Sequence, residues 1–531
     1  MMKVTQIPFK DTGFFSTTML DYLEQKETIQ SFYNNFPNNL GFHNQIEEKE
    51  NAHSLQSRLV LVGALKKQYA NVDVSENTQE NIELLKLKNT FTITTGHQLN
   101  LFTGPLYFLY KIICAINLAE ELSQKYTDKN FVPVYWMATE DHDFDEINYF
   151  NFEGKKVQWN RTDGGAVGRF STEGLDAVLD VFATQLGSSK NATYLKELFS
   201  KGYLEHNNLA DATRYIANEL FKEYGLLIID GDDAALKQLF IPFIKDELEN
   251  QTSYKQVSKT INSLKENYKI QVNPREINLF YLSKNSRERI VFENGIYKVN
   301  NTSITFSKSE ILKAVEENSL DFSPNVIMRP LYQEVVLPNI CYLGGGGEIA
   351  YWFELKAYFE KVNIPFPILL LRNSVQVVLE KQQKKLHNLG ISHEELFLKQ
   401  HKLLSKKVLE NTAIKINFKE KIKFLESQFS ELKEVAKKTD ISFVNAVNAQ
   451  ERKQVKGLES LQKRLIIAEK RRQKDLVERI TELQNELLPN QGLEERQRNF
   501  SEYYLAFGDD FIQALKESLK PLDLAFTVLE L

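Results

Sequence analysis

The sequence predicts an α/β protein: a Rossmann-like core on a parallel sheet, carrying β-rich insertions and followed by a long antiparallel coiled coil. Three observations predict it. Strand, loop, helix and strand succeed one another between Asn89 and Met137, the spacing of a βαβ unit. Two later apolar runs, Gly225 to Ile229 (GLLII) and Phe366 to Leu371 (FPILLL), each end in polar residues, as core strands of an open sheet do. From Gln376 to Leu488 the texture changes to charged helical periodicity with few glycines or prolines.

The first strand is read at Asn89 to Thr95, where Phe91 and Ile93 alternate with β-branched threonines up to Gly96. Between Pro105 and Lys125, Leu109, Ile112, Ile113, Ile116, Ala119 and Leu122 recur at helical spacing, and Pro105 suits a first turn. Phe131 to Met137 is a short, nearly all-apolar run, the pattern of a strand covered on both faces. Asn294-Gly295, between alternating residues of Arg289 to Phe306, signals a type I′ hairpin; Glu153-Gly154 marks a weaker one in Tyr149 to Gln158. In the helical region, Phe418, Ile422, Leu425, Phe429, Leu432 and Ala436 alternate by four and three. Leu458, Leu461, Leu465 and Ala468 do so after a polar break at Lys437 to Asp440. The expected domains are 1–375, with insertions at about 149–220 and 240–325; a coiled coil at 376–488; and a tail, 489–531, that returns to the core.

Composition narrows the function. The 531 residues can bury a large core, and two cysteines, Cys114 and Cys341, make neither a disulfide framework nor a cysteine zinc site. Nothing local lowers the Cys341 pKa, so that thiol reads as a small core residue. The N-terminal stretch Met1 to Lys10 lacks an apolar run, and no segment has the roughly 18 to 20 apolar residues of a membrane span; a reducing, cytoplasmic setting is expected. A net charge of −5, from 66 basic and 71 acidic residues, removes the electrostatic case for a dedicated nucleic-acid binder.

Three clusters carry candidate chemistry. In Thr95-Gly96-His97-Gln98 through Gly104-Pro105, glycines allow close backbone approach and the following helix start favours an anion, to which His97 and Gln98 can donate. It is neither a Walker loop nor a dinucleotide fingerprint, and a ligand-free βα turn has the same form. The run Glu140-Asp141-His142-Asp143-Phe144-Asp145-Glu146 follows directly on a buried strand. That much like charge calls for compensation by a cation, an ammonium group or helix amides. Asp141, His142 and Asp143 can bind a divalent metal or handle a substrate amine; an acidic helix start is the bland alternative. Third, Gly344, Gly345, Gly346 and Gly347 precede Glu348, Tyr351 and Trp352, a loop able to wrap a phosphate or sugar or to serve as a hinge. Arg329 and Glu334 are candidates for the same wall, and His387, His393 and His401 read as surface residues of the long helices.

These clusters resemble the bacillithiol biosynthesis cysteine-adding enzymes, a family of cysteine ligases. The matching stretches are TGHQLNLFTGPLYFLYKIICAINLA (Thr95 to Ala119), VPVYWMATEDHDFDEIN (Val132 to Asn148) and LPNICYLGGGGEIAYW (Leu337 to Trp352). GGAVGR (Gly164 to Arg169) and FPILLLRNS (Phe366 to Ser374) agree as well. The resemblance implies a core like that of class I aminoacyl-tRNA synthetases and a coiled coil that pairs two subunits into a homodimer. It implies a reaction joining the cysteine carboxyl to the amine of glucosaminyl malate, with ATP or another nucleotide for activation. Asp141, His142, Asp143 and His97 are then the catalytic candidates. Gly96, Gln98, Gly104, Lys111, Trp136, Glu140, Gly344 to Gly347, Glu348 and Tyr351 are the binding candidates. One departure stands out: members commonly carry glutamine where this chain has His97. On the residues alone, a metal-dependent hydrolase built on the acidic loop and a coiled-coil assembly protein remain alternatives.

Overall fold

A computed structural model of the protein describes residues 3–162, 164–414 and 416–531; Met1 and Met2 of the N-terminal stretch, Asp163 and Lys415 lie outside them. Two compact units emerge. One comprises residues up to Lys10, Phe14–Gln376 and Glu494–Leu529; the other is chiefly Val377–Leu493.

The first unit is built on five parallel strands: β1 (Thr90–His97), β2 (Asn130–Met137), β3 (Leu227–Asp230), β4 (Asn339–Gly344) and β5 (Ile368–Leu371). Their spatial order is β5-β4-β1-β2-β3. This is the doubly wound Rossmann order, in which the connections leave β1 in opposite directions and open a crevice beyond the carboxyl ends of β1 and β4. Every residue of β1 is buried, so its threonines must bond internally: Thr94 donates to Asn339 Oδ1 at 2.8 Å and Thr95 to the Leu343 carbonyl at 2.9 Å. The helix Tyr107–Lys125 buries Cys114, Ala115, Leu118 and Leu122 against β1 and β4.

The periodic reading located β1, β2, β3, β5 and this helix to within a few residues and passed over β4, whose residues NICYLG run straight into the glycines. The glycine cluster also proves more ordered than a wrapping loop. Gly344 ends β4, Gly345 caps a helix, and Gly346–Phe353 is that helix.

Two insertions lie on the carboxyl side of the sheet. After β2 come the hairpin Tyr149–Phe152 with Lys155–Gln158 and three helices, Leu175–Leu186, Lys190–Leu204 and Leu209–Phe221. Glu153 and Gly154 both have positive φ, which a two-residue type I′ turn requires. After β3 comes an antiparallel sheet ordered Thr305–Phe306, Ile296–Val299, Arg287–Glu293, Leu279–Leu282 and Phe322–Pro324, its first turn made by Asn294 and Gly295 at positive φ. The C-terminal segment returns to this unit. Arg372, just past β5, forms a two-point ion pair with Glu495 at 2.8 and 3.1 Å, both side chains almost fully buried, and Phe526–Glu530 pairs with Lys3–Ile7.

In the second unit Lys419–Lys437 and Ile441–Arg472 form the helical hairpin, and the Asp440 side chain caps the second helix by accepting from Ser442 N–H. The heptad seam closes only partly. Ile422, Leu425 and Phe429 are half-buried, while Leu432 and Leu461 are 51% and 52% exposed. His387 and His401 are exposed, but His393 is tucked against Gln383 at 3.1 Å, a departure from its surface reading produced by the turn that brings residue 393 back onto the preceding helix.

Candidate active site

A cavity of about 590 Å³ opens at the crevice between β1 and β4 and is roofed by the second insertion. The motifs read along the chain converge there from residues far apart in sequence. Gly96 and Gln98 come from the end of β1, Trp136 and Glu140 from the end of β2, Glu348 and Tyr351 from the helix after β4.

Lys111 joins the first motif to the third. Its ammonium, almost completely buried, lies 2.8 Å from the Gly96 carbonyl and 2.5 Å from Glu348 Oε1, while Tyr342 donates to Glu348 Oε2 at 3.0 Å. Burial pulls the Lys111 pKa below its ordinary value and the Glu348 carboxylate works against that pull. Gly96 is needed for close approach: a Cβ there would stand 3.1 Å from the Tyr342 hydroxyl.

The acidic loop divides its carboxylates among different tasks. Glu140 pairs with the fully buried Lys237 from the helix after β3. Burial nevertheless leaves the Glu140 pKa raised, with Lys237 opposing and Asp232 adding to the shift. Asp141 goes the other way. Burial would raise it, but His142 and the Gln98 amide, which donates to Asp141 Oδ2 at 2.9 Å, hold it below the usual carboxylate range. Two adjacent carboxyl groups thus have pKa values driven apart by their surroundings.

The loop's backbone is held by the GGAVGR motif. Val167 N–H donates to the Asp141 carbonyl and Gly168 N–H to the Thr139 carbonyl, both at 2.8 Å, and a Cβ on Gly168 would stand 2.6 Å from Thr139 Cβ. Asp143 is exposed, precedes the short helix Phe144–Ile147 and does not line the cavity. Among the described residues no group of three or more His, Cys, Asp and Glu side chains is placed to hold a metal ion.

His97 lines the cavity wall with its ring packed against Tyr107 and Phe108, at 5.4 and 5.0 Å between centroids. Burial, with Lys111 nearby, holds its pKa well below the ordinary histidine value, so the ring is neutral. Gln98 is committed on both sides, since its amide also donates to Glu146 Oε2 at 2.9 Å; it orients Asp141. Gly104 sits away from the cavity, at positive φ, its carbonyl accepting from Asn499. Gly344 to Gly347 shape the turn that aims Glu348 without lining the cavity themselves, and Trp352 is wholly buried. Arg329 does reach the cavity, where Tyr351 and Gln333 hold its guanidinium at 3.2 and 3.1 Å. Glu334 does not; it is buried against Lys49 at 3.1 Å. Cys114 and Cys341 are free and buried, the Cys114 thiol pushed up to about 12 by burial.

The periodic reading found the hairpin of the roof but not the residues it aims into the cavity. Phe280, Arg287 and Arg289 line the cavity from the insertion sheet, with Asn273 and Arg275 from the loop before it. The signal lay in RERI: arginines two apart on a strand share a face.

Nearly the whole chain matches two consecutive family descriptions. Residues 2–373 match "Bacillithiol biosynthesis BshC, N-terminal Rossmann-like domain", and residues 375–531 match "Bacillithiol biosynthesis BshC, C-terminal coiled-coil domain". The chain belongs to the bacillithiol biosynthesis BshC family. Curated relatives named "Putative cysteine ligase BshC" include one from Flavobacterium johnsoniae, 57% identical over 98% of this chain and 99% of the relative. Another, from Flavobacterium psychrophilum, is 56% identical over 99% of both, and a third, from Cytophaga hutchinsonii, is 39% identical over 98% of this chain and 97% of the relative. Among the described residues no helix is long and apolar enough to cross a membrane.

Proposed function

We propose that this chain is a cytoplasmic cysteine ligase of bacillithiol biosynthesis, forming an amide between the cysteine carboxyl and the amine of glucosaminyl malate with nucleotide-dependent activation. The observation that carries the reading is the convergence at one cavity of the β1 loop, the acidic loop and the helix after β4, in a chain whose relatives bear the cysteine ligase name. Amide formation from a free carboxylate needs a leaving group on the acyl carbon, and the nucleotide supplies it. The acceptor amine attacks that carbon, the leaving group departs and one proton must leave the nitrogen.

The adjacent carboxyl groups suit that sequence. Asp141, kept ionised by Gln98 and His142, accepts a hydrogen bond from the neutral acceptor amine and orients it; Glu140, with its raised pKa, is the better matched to take the one proton released as the amine attacks. Lys111, fixed by Glu348 and the Gly96 carbonyl, places a positive charge beside the developing negative charge of the acyl transfer. The deciding experiment incubates purified protein with cysteine, glucosaminyl malate and ATP and follows the cysteinyl amide, AMP and ADP by mass spectrometry. Amide formation with stoichiometric nucleotide cleavage is the expected result. Absence of amide from folded protein would refute the assignment.

We also assign a homodimer to the coiled coil. Phe424, Leu432, Val435 and Phe443 are each more than half exposed on its two helices, an apolar surface that a second copy would cover. Sedimentation equilibrium of the full chain should give twice the monomer mass, and Phe424→Glu combined with Val435→Glu should give the monomer.

A further inference from the structure

The roof of the cavity is cationic in a way that the ligation chemistry above leaves unused. Arg287 and Arg289 lie two residues apart on one strand, opposite Leu282 and Phe280 of the next, so both guanidinium groups and the Phe280 ring share the cavity-facing side of the insertion sheet. Arg287 is pinned: it donates to Ser323 Oγ at 3.2 Å and the Pro324 carbonyl at 2.9 Å, stacks on Phe280 at 4.1 Å, and stands 3.0 Å from His142 Nδ1. Arg329 is pinned from the floor by Tyr351 and Gln333. Arg289 and Arg275 make no side-chain hydrogen bond or ion pair among the described residues. None of the four forms an ion pair with a carboxylate of the protein among those residues. The carboxylates of the same cavity are already engaged, Glu348 by Lys111 and Glu140 by Lys237.

Guanidinium groups that line one cavity without carboxylate partners are stabilised when an anion with several oxygen atoms enters. The same cavity holds Asp141 and Glu140 at the end of β2, both within electrostatic reach of Arg287, while Arg275 and Arg289 have no carboxylate partner among the described residues. A ligand that matches both sets of charges carries an amine and more than one carboxylate.

We infer that Arg275, Arg287 and Arg289 form the subsite that selects the acceptor by its dicarboxylate arm, with Arg287 as the preformed anchor and the two unpinned arginines closing on the second carboxylate. This rests on the proposed ligase reading, in which glucosaminyl malate offers its amine to Asp141 and its two malate carboxylates to the roof. Selection by charge at the far end explains why the insertion sheet, which supplies none of the groups assigned to acyl transfer, is placed over the cavity at all.

The test uses the full chain and calorimetric binding as well as turnover. Arg275→Ala and Arg289→Ala remove side chains with no internal partner, so the fold is retained. Each is expected to weaken glucosaminyl malate roughly tenfold, and the pair roughly a hundredfold, as losing charge-assisted hydrogen bonds does. Methyl glucosaminide, which lacks the malate, should bind wild type weakly and be indifferent to the substitutions, and ATP affinity should stay within about twofold. Arg289→Lys should recover only part of the loss, because one ammonium cannot replace a two-point contact. Unchanged glucosaminyl malate affinity in the double variant overturns the inference, as does a fall in ATP affinity alone, which would make the roof a phosphate site. Arginine-dependent acceptor binding without amide formation would sustain the subsite and refute the ligase reading; amide formation with arginine-independent binding would do the reverse.

Discussion

Lys111 Nζ and Glu348 Oε1, 237 positions apart in the chain, meet at 2.5 Å beneath the cavity, with the Gly96 carbonyl as the third partner. The pair spans the crevice between β1 and β4, so it couples the position of the first loop to that of the helix after the glycines. Removing one partner leaves a charge in a site with little water. Lys111→Met is expected to cost about 3 kcal/mol of stability and to abolish ligation, whereas Lys111→Met combined with Glu348→Gln should regain most of the stability and none of the turnover. Urea unfolding and the amide assay on the same preparations check both halves; recovered turnover in the double variant would assign the pair a structural role only.

Asp141 and Asp143 separate function from proximity in sequence. Asp141 lines the cavity and is oriented by Gln98, while Asp143 is exposed before a short helix. Asp141→Asn should lower kcat/KM at least about a hundredfold, a loss of roughly 2.7 kcal/mol in transition-state stabilisation, with Asp143→Ala within about threefold of wild type. Equal loss in both would move the reacting amine toward residue 143.

His97 is buried and neutral, its pKa held down by desolvation. The unfolded chain therefore binds a proton near pH 6.5 that the folded one refuses, and the folded state loses stability as pH falls below about 6.5. Relative to His97→Gln, wild type should become less stable by up to about 1.4 kcal/mol for each pH unit below that point, with no such trend between pH 7 and 9. Denaturation midpoints at pH 5, 6 and 8 measure the effect. The pH profile of ligation should keep its shape in the variant, because a neutral ring has no proton to lose in the working range.

Glu354 has the opposite sign. It is wholly buried, accepts Gln271 N–H at 2.7 Å, and has a pKa raised by burial to about 7. The folded state holds its proton from the ordinary glutamate range, near 4.5, up to about 7, so this residue withdraws stability as pH rises through that window. Glu354→Gln keeps the accepting oxygen and should be the more stable protein at pH 8, by at most about 3 kcal/mol, with the difference vanishing near pH 4. Because Gln271 leads into the loop bearing Asn273 and Arg275, the protection of the Gln271 amide in wild type, relative to its intrinsic exchange rate at each pH, should fall as pH drops below about 7 and the carboxylate becomes a weaker, neutral acceptor. Protection that stays constant across pH would confine the effect to stability.

Much of the fold was legible because its signals are local. A β-branched run ending in Gly96, apolar residues at helical spacing before Lys125, positive-φ pairs at Glu153-Gly154 and Asn294-Gly295, and heptads around Ile422 each depend on a few neighbouring residues. β4 was not legible, since five buried residues running into four glycines lack both a period and a polar stop, and its place beside β1 is settled by pairing partners some 250 positions away.

The same distinction governs the site. Sequence by itself determined which segments carry unusual chemistry, because crowded carboxylates, clustered glycines and a loop at a strand end are costly or conspicuous wherever they occur. Only the tertiary structure decided how those groups divide the work: that Glu140 faces Lys237 while Asp141 faces Gln98, that Glu348 is spoken for by Lys111, that Glu334 serves Lys49, and that four arginines gather on one cavity. The physical reason is that an ionisable group's state is set by burial and by charges within a few ångströms. Those neighbours come from strands and insertions that the chain brings together only when the sheet has closed.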